Sequence, residues 1–463
     1  MNNQYKKPDY LWLTLLSFIL VVIKLPHLSL PYFWDEAWPY AEAVQQMYNH
    51  GLTLLPGNIP IDISRGHPLL FHFISALFLK VFGNSLVASH IFPLLTSVIV
   101  IWTSYAVASR HINRETGLLT AALLLVQPVF LAQSSLLLPE MLVSLLTLLT
   151  INFYFEKKQI LFAICATALL MTKESGAVLI AFIVIHEFIQ RQREKRIQPV
   201  YIVIPLLIGV AFFVYQKALT GYYVLPLHTD SSYFELPIIL AKLKSYGLYL
   251  LIYQGRNLIF IMALASIVFF IAGKKRMEED RKPFLIFLSF FLVAYLLFSS
   301  LTFYSPRYLL AVLPIFIMLA GTFIAAAFRN KYILLLISFL PLAAGIKYSL
   351  RSSPVNDHHL GYVDAIRVQQ QAINYCDSMK LQDKNIYAGF TMRNCLTNTS
   401  AGYLKGKGFS NVISDMKMSP QYLMVSNFDE DPLAIEFINA EKVEPIARFR
   451  ENEARIELYE VRR

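Results

Sequence analysis

Charge is scarce in this chain. Asp, Glu, Lys and Arg make up 16% of its 463 residues, against roughly 25% in soluble domains. With 56% hydrophobic residues and a mean hydropathy of +0.50, that shortage excludes an ordinary soluble protein. Cysteine is scarcer still: three residues, too few for a disulfide scaffold. Nucleotide signatures are missing, with neither G-x-x-x-x-G-K-[ST] nor G-x-G-x-x-G present. No small-residue cleavage site follows the first apolar stretch, residues 10–30, which is also too long for a signal-peptide core. It is read as a retained span. Internal repeats and low-complexity segments are absent too.

Long apolar runs are what the chain has instead. Stretches of about 18 residues or more recur over its first three quarters, the mark of a polytopic helical membrane protein. The net charge of +10 then reads as topology rather than nucleic-acid binding, because Lys and Arg collect in cytoplasmic loops. Lys6 and Lys7 precede the first span, which puts the N-terminus in the cytoplasm. Residues 67–83 are apolar but carry His67, His72 and Lys80. Read as an amphipathic helix on the outer surface, they leave every later basic loop inside. Further spans are expected at 85–109, 116–134, 136–155, 160–173, 175–189, 198–216, 256–273, 284–303, 308–327 and 331–350. Residues 236–253 carry Lys242 and Lys244 and are read as interfacial. The basic groups Arg110/Arg114, Lys157/Lys158, Arg191/Arg193/Lys195/Arg196, Lys274/Lys275/Arg276/Arg281/Lys282 and Arg329/Lys331 then share one side with the N-terminus. The result is about eleven spans.

Two parts follow, a transmembrane domain at 1–353 and an extracytoplasmic domain at 354–463. In the second, helical patterns at 363–379 and 431–439 alternate with strand patterns at 385–390, 421–425, 447–450 and 455–461, which implies a small α/β fold. Cys376 and Cys395 both lie there. An oxidising compartment would allow them to pair.

This topology collects the unusual polar residues on the outer face. Asp35 and Glu36 follow the first span. Arg65 and His67 end the first outer loop. Glu140, the pair Lys173/Glu174, and Arg307 with Tyr308 lie in later outer turns. Ionisable groups at a membrane boundary are costly and mark function by default. A carboxylate can deprotonate an acceptor hydroxyl, and cations can hold a leaving phosphate. Each residue also has a plainer use. Glu36 can cap the helix beginning near Ala37, Glu140 can favour a helix N-terminus, Lys173 can snorkel, Arg307 can anchor a span end, and His67 can be structural. His90, Gln127 and Gln133 fall inside spans and read as packing hydrogen bonds. A divalent ion shared by Asp35, Glu36, Glu140 and His67 stays open, since no ligand spacing singles it out. No other cofactor is expected.

The stretches FWDEAWPYAEA (33–43), RGHPLLFHFISALFLKVFGNS (65–85), SSLLLPEMLVSLLTLL (134–149), LLMTKESGAVLI (169–180) and FYSPRYLLAVLPIF (303–316) occur in this order. Together they resemble the GT-C superfamily of membrane glycosyltransferases, in the branch of protein O-mannosyltransferases and the lipid A aminoarabinose transferase. The resemblance implies a polyprenyl-phosphate sugar donor, Asp35 as catalytic base with Glu36 as its acidic neighbour, and Lys173 and Arg307 at the lipid phosphate. Glu140 stands where many relatives have Asp, and Gly66-His67-Pro68-Leu69 replaces a Pro-Pro-Leu form. The expected protein is an inverting glycosyltransferase of a bacterial inner membrane. Asp35, Glu36 and Glu140 are its catalytic candidates; Arg65, His67, Lys173, Arg307 and Tyr308 are its substrate-binding candidates. The acceptor is a lipid, protein or glycan, and nucleic acid is no partner. The rival readings are a transporter or flippase of lipid-linked substrates and a surface polysaccharide polymerase or ligase.

Overall fold

The computed structural model describes residues 7–189, 197–226, 234–273, 278–328, 331–351 and 353–461. Lys6, Arg191, Arg193, Lys195, Arg196, Lys274, Lys275, Arg276 and Arg329 lie outside the described residues.

Helix α1 (Lys7–Lys24) leads into a long connection, which holds α2 (Tyr40–His50), the single turn α3 (Ile61–Ser64) and α4 (Leu70–Phe82). Ser85 caps α5 (Leu86–His111) by accepting from Ala88 N at 3.1 Å. Asn113 caps α6 (Arg114–Leu125) by accepting from Thr116 N at 2.8 Å. Such side-chain acceptors satisfy donors that the first helical turn leaves open. The stretch 116–134, expected as one span, is broken. Pro128 cannot donate its backbone N–H, so a new short helix α7 (Pro128–Gln133) starts there. Helices α8 (Glu140–Phe155), α9 (Gln159–Thr172), α10 (Ala177–Ile189) and α11 (Pro199–Thr220) follow.

Next come α12 (Leu236–Leu251) and α13 (Arg256–Ala272), bent 82° from each other. Gly255 makes that elbow. Its φ is +83°, and a Cβ there would sit 3.1 Å from the Cβ of Ala344. Only glycine meets both demands comfortably. Helices α14 (Lys282–Leu301), α15 (Leu313–Ala327) and α16 (Lys331–Ser349) complete the apolar part. The last span but one was expected from residue 308. Residues Pro306–Ala311 instead form a 3-10 turn, and the α-helix begins at Leu313.

Among the described residues, Asp9–His27, Leu86–His111, Pro199–Thr220 and Lys282–Leu301 have the length and hydropathy to cross a membrane alone, and the α12–α13 pair adds a bent fifth. Other apolar helices, such as Glu140–Phe155 and Gln159–Thr172, are shorter.

Polar contacts segregate to two ends of this bundle. At one end Asp9 pairs with Arg114 and accepts from Tyr105, and Glu156 pairs with Arg110 and Lys158. At the other end lie the starts of α4 and α5. His67, before α4, meets Glu174, while Ser89 and His90 of α5 meet Tyr32 and Glu36. Helix α4 therefore begins and ends at the same end of the bundle. Its 13 residues reach about 20 Å, short of the ~30 Å bilayer core. Helix α12 also lies across this end, with Lys242 donating to Thr302 O at 2.6 Å and Tyr246 accepting from Ser305 N at 3.0 Å.

Beyond residue 353 the chain alternates helices and strands. Helix α17 (Tyr362–Ser378) covers a five-stranded sheet of order β2-β1-β3-β5-β4. The strands are β1 (Ile386–Ala388), β2 (Val412–Ile413), β3 (Tyr422–Ser426), β4 (Pro445–Glu451) and β5 (Ala454–Glu460). β1 runs parallel to β2 and β3, and β5 is antiparallel to β3 and β4. Helices α18 (Phe390–Thr397) and α19 (Pro432–Glu441) complete the layer. Phe390, expected at a strand end, opens α18 because the Asp429 carboxylate accepts from Thr391 N at 2.7 Å and fixes a helix start.

The expected pairing of Cys376 and Cys395 is not formed: both are free, buried thiols. Cys376 faces inward from α17, which packs on β4 and β5, whereas Cys395 is buried on α18.

Candidate active site

Asp35 and Glu36 are sequence neighbours with opposite surroundings. Trp34 has a left-handed backbone, φ +55°, which is rare for a bulky residue. The 3-10 turn Trp34–Glu36 then sends the two carboxylates apart. Glu36 is fully buried and fully used. It accepts from Phe33 N at 3.1 Å, from Leu137 N at 2.6 Å, and faces His90 Nε2 at 2.9 Å. Nδ1 of His90 faces the Leu28 carbonyl at 2.8 Å, so it carries its proton. The Nε2–carboxyl contact then holds one further proton between its partners. Glu36 thus closes the loop and ties it to α5 and to the turn before α8. The catalytic placement expected for it is corrected to a positioning one, since no oxygen of Glu36 is left for a substrate.

Asp35 is the half-exposed member, its side chain 30% accessible, and it accepts from Arg307. Arg307 is buried at the centre of the cluster. One terminal nitrogen serves Asp35 and the other serves Asp357, while Nε lies 3.4 Å from Glu140. Glu140, the first residue of α8, accepts from Lys173 Nζ at 2.9 Å. Lys173 follows the last residue of α9 and stands 4.1 Å over the Tyr308 ring, whose centroid is 5.5 Å from the Arg307 guanidinium carbon. Five expected residues, Asp35, Glu140, Lys173, Arg307 and Tyr308, therefore meet.

Electrostatics follow from burial against partners. Burial would lower the proton affinity of Arg307 and Lys173. Asp357, Asp35 and Glu140 around Arg307, and Glu140 beside Lys173, override it and hold both cations well above their ordinary range. Burial would raise the Asp357 carboxyl, but Arg307 holds it well below the usual carboxylate range. Nε of Arg307 and Oε2 of Glu140 are buried with no hydrogen-bond partner among the described residues. Unsatisfied buried groups are costly.

His67 and Arg65 stand at the rim. His67 Nδ1 meets Glu174 at 2.9 Å and its ring stacks on Tyr40 at 6.2 Å. Arg65 lies 5.1 Å over the Trp38 ring, which itself contacts Phe390 of α18. Among the described residues no group of three or more His, Cys, Asp or Glu side chains is placed to hold a metal ion. The donor set explains this: Glu36 turns to His90, His67 to Glu174, and Asp35 and Glu140 to Arg307. The shared ion left open by the sequence does not fit these residues.

Asp357 is the residue that sequence reasoning missed. Its signal was available, since Asp357-His358-His359 follows the last apolar helix as Asp35-Glu36 follows the first. Gln133 reads as a packing group and does pack, but its partner is the Asp357 carbonyl, 2.7 Å away.

Beside the site opens an apolar groove of about 850 Å³. Leu70 and Met171, three and two residues from His67 and Lys173 in the chain, line it together with Ala168, Ile164, Ile208 and Phe212 of α9 and α11.

Residues 66–216 match the family model of dolichyl-phosphate-mannose-protein mannosyltransferases, a stretch containing His67, Glu140 and Lys173. No curated protein sequence matches the chain. Among solved structures, ArnT from Cupriavidus metallidurans in the apo state is similar at TM-score 0.58 and 14% identity, over 98% of each chain. The same protein bound to undecaprenyl phosphate gives 0.56 and 14%, over 96% of this chain and 98% of that one. The chain shares the fold of that protein. A third likeness is to the oligosaccharyltransferase AglB of Archaeoglobus fulgidus with an inhibitory peptide and a dolichol-phosphate. It gives TM-score 0.51 and 10% identity, over 90% of this chain and 69% of that one. Asp35 and Arg307 lie outside the family-model stretch, so any role for them rests on the geometry.

Proposed function

We propose that this chain is an integral membrane glycosyltransferase. It moves a sugar from a polyprenyl-phosphate carrier to a hydroxyl of a lipid, protein or glycan on the extracytoplasmic face. The observation that carries the reading is Arg307, shared between a half-exposed carboxylate and a buried Glu140–Lys173 pair beside an apolar groove. A lipid-linked donor needs that combination: a dry channel for its chain and charge-assisted donors for its phosphate. Over the nine residues from Ala163 to Met171 the groove follows α9 for about 12 Å, room for a few isoprene units.

The chemistry balances simply. The acceptor oxygen attacks the anomeric carbon from the side opposite the phosphate, and its proton passes to an Asp35 oxygen. The bond from anomeric carbon to phosphate oxygen breaks, and the carrier phosphate leaves with one added negative charge. Lys173 and Arg307 stabilise that growing charge. Before the donor binds, Asp35, Glu140 and Asp357 set three negative charges against the two of Lys173 and Arg307. A phosphate that draws Arg307 toward itself frees the Asp35 oxygen that Arg307 had held, and that oxygen can then accept from the acceptor hydroxyl. Attack from one face in a single step inverts the anomeric configuration.

Radiolabelled undecaprenyl-phosphate sugars, offered to the purified protein in detergent with mixed envelope acceptors, test this. Label should leave the carrier, and the new linkage should have the inverted configuration by NMR. Ala168→Trp, which fills the groove, should raise the KM of a long-chain donor about tenfold, or 1.4 kcal/mol, and that of a short-chain donor much less. Label that never leaves any carrier, or equal effects on both donors, would count against the reading.

The topology is tested separately. The three native cysteines are buried, so an added cysteine reports alone. Asn84, beside Gln45 at the site end, and Lys157, at the opposite end, are both exposed. Asn84→Cys should react with an impermeant maleimide from outside intact cells, and Lys157→Cys only after permeabilisation. Labelling of both from one side would require the spans to be redrawn.

A further inference from the structure

We propose that Asp357 is a positioning residue. By holding one terminal nitrogen of Arg307, it lets the other pass from Asp35 to the donor phosphate, and so releases Asp35 as base. The inference rests on the glycosyl-transfer reading and deepens it.

Asp357 is built in rather than draped over the site. Its carbonyl accepts from Gln133 at 2.7 Å. Asn356 accepts from His358 N at 3.2 Å. Gly361 N donates to His359 Nδ1 at 3.3 Å, so Nδ1 is the acceptor and Nε2 carries the proton given to Tyr348 O at 2.8 Å. Each anchor reaches back to the apolar helices or closes the turn, and the Asp357 carboxylate is fixed before any substrate arrives. His358 Nδ1 stands 3.4 Å from its second oxygen.

A guanidinium is a rigid planar fork. In this structure its terminal nitrogens point to two different carboxylates, Asp35 and Asp357, from different parts of the chain. With Asp357 absent, both nitrogens are free to turn to Asp35 as a bidentate pair, the strongest arrangement such groups make. The base would then be locked in its ion pair. The wider tail reinforces this coupling, because it grips the catalytic loop directly. Ala401 O accepts from Tyr32 N at 2.9 Å, Tyr362 accepts from the buried Lys24 at 3.0 Å, and Phe428 packs on Phe33.

Asp35 faces Arg307, and around Arg307 stand Tyr308 of the same 3-10 turn, Glu140 from α8 with its partner Lys173, and Asp357 from the tail with its partner His358. Asp357→Asn keeps the shape and the Gln133 contact, and removes one negative charge. Transfer kcat should fall by about 10–100-fold. The acid limb of the kcat/KM profile should move to lower pH, because Arg307 then has no competing carboxylate on its other terminal nitrogen. Asp357→Glu keeps the charge and should hold the acid limb at its wild-type position. If kcat stays within about twofold of wild type, or falls with the limb unmoved in Asp357→Asn, Asp357 is only a structural anchor. If Asp357→Asn does not fold, a displaced limb in Asp357→Glu overturns the proposal equally. Loss of transfer in Asp35→Asn with normal Asp357→Asn would sink this inference alone, whereas an active Asp35→Asn would sink the reading beneath it.

Discussion

Asp35→Asn should lower transfer by about 10²–10⁴-fold, the usual share of a general base, with the protein still folded. The amide keeps the size of the side chain but cannot take the acceptor's proton. Folding should survive because Asp35 is the exposed arm of the cluster. Arg307 keeps Asp357 and Glu140, and Glu36 keeps the loop closed through Phe33 N, Leu137 N and His90. The measurement is kcat at saturating donor, alongside the thermal transition of the detergent-solubilised protein. Activity within about threefold of wild type would remove Asp35 from the base role. A lost thermal transition would instead assign it to stability.

Arg307→Ala should be the more damaging change, because it strikes donor binding and folding together. It leaves Asp35, Glu140 and Asp357 facing one another with Lys173 as the remaining cation. Breaking a buried ion pair from one side costs about 3–5 kcal/mol. Arg307→Lys restores the charge and separates the two effects. An ammonium cannot span Asp35 and Asp357 at once, so the variant should fold, yet lose about 10–100-fold in kcat/KM for the donor. Full activity in Arg307→Lys would show that charge alone matters and that the fork geometry does not. A normal donor KM in a folded Arg307→Ala would make Arg307 an anchor of the span end.

Much of this was written into the chain locally. The spans at 85–109, 136–155, 160–173, 198–216, 256–273, 284–303 and 331–350 coincide with helices, because a long apolar run has few other ways to satisfy its backbone in lipid. Strands β1, β3, β4 and β5 were legible from short β-rich runs between turn residues. So were Asp35, Glu140, Lys173, Arg307 and Tyr308, since an ionisable residue at the end of an apolar run is expensive enough to stand out by itself.

What the sequence could not decide were partnerships, because each is a distance between residues far apart in the chain. Asp35 and Glu36 read alike as neighbours. Only packing shows one against Arg307, 272 residues away, and the other sealed against His90 and Leu137. The break at Pro128, the free thiols of Cys376 and Cys395, and the failure of Glu36 and His67 to join a ligand set are of the same kind. Asp357 is the clearest instance. In sequence it is one more acid in a polar tail. It becomes part of the site only because Gln133 holds its backbone at 2.7 Å while Arg307 reaches its side chain. Hydropathy and charge fix where each segment can lie, since they act residue by residue. Which carboxylate shares which cation is set by the tertiary fold, because the attraction between buried charges depends on their separation and surroundings in the folded state.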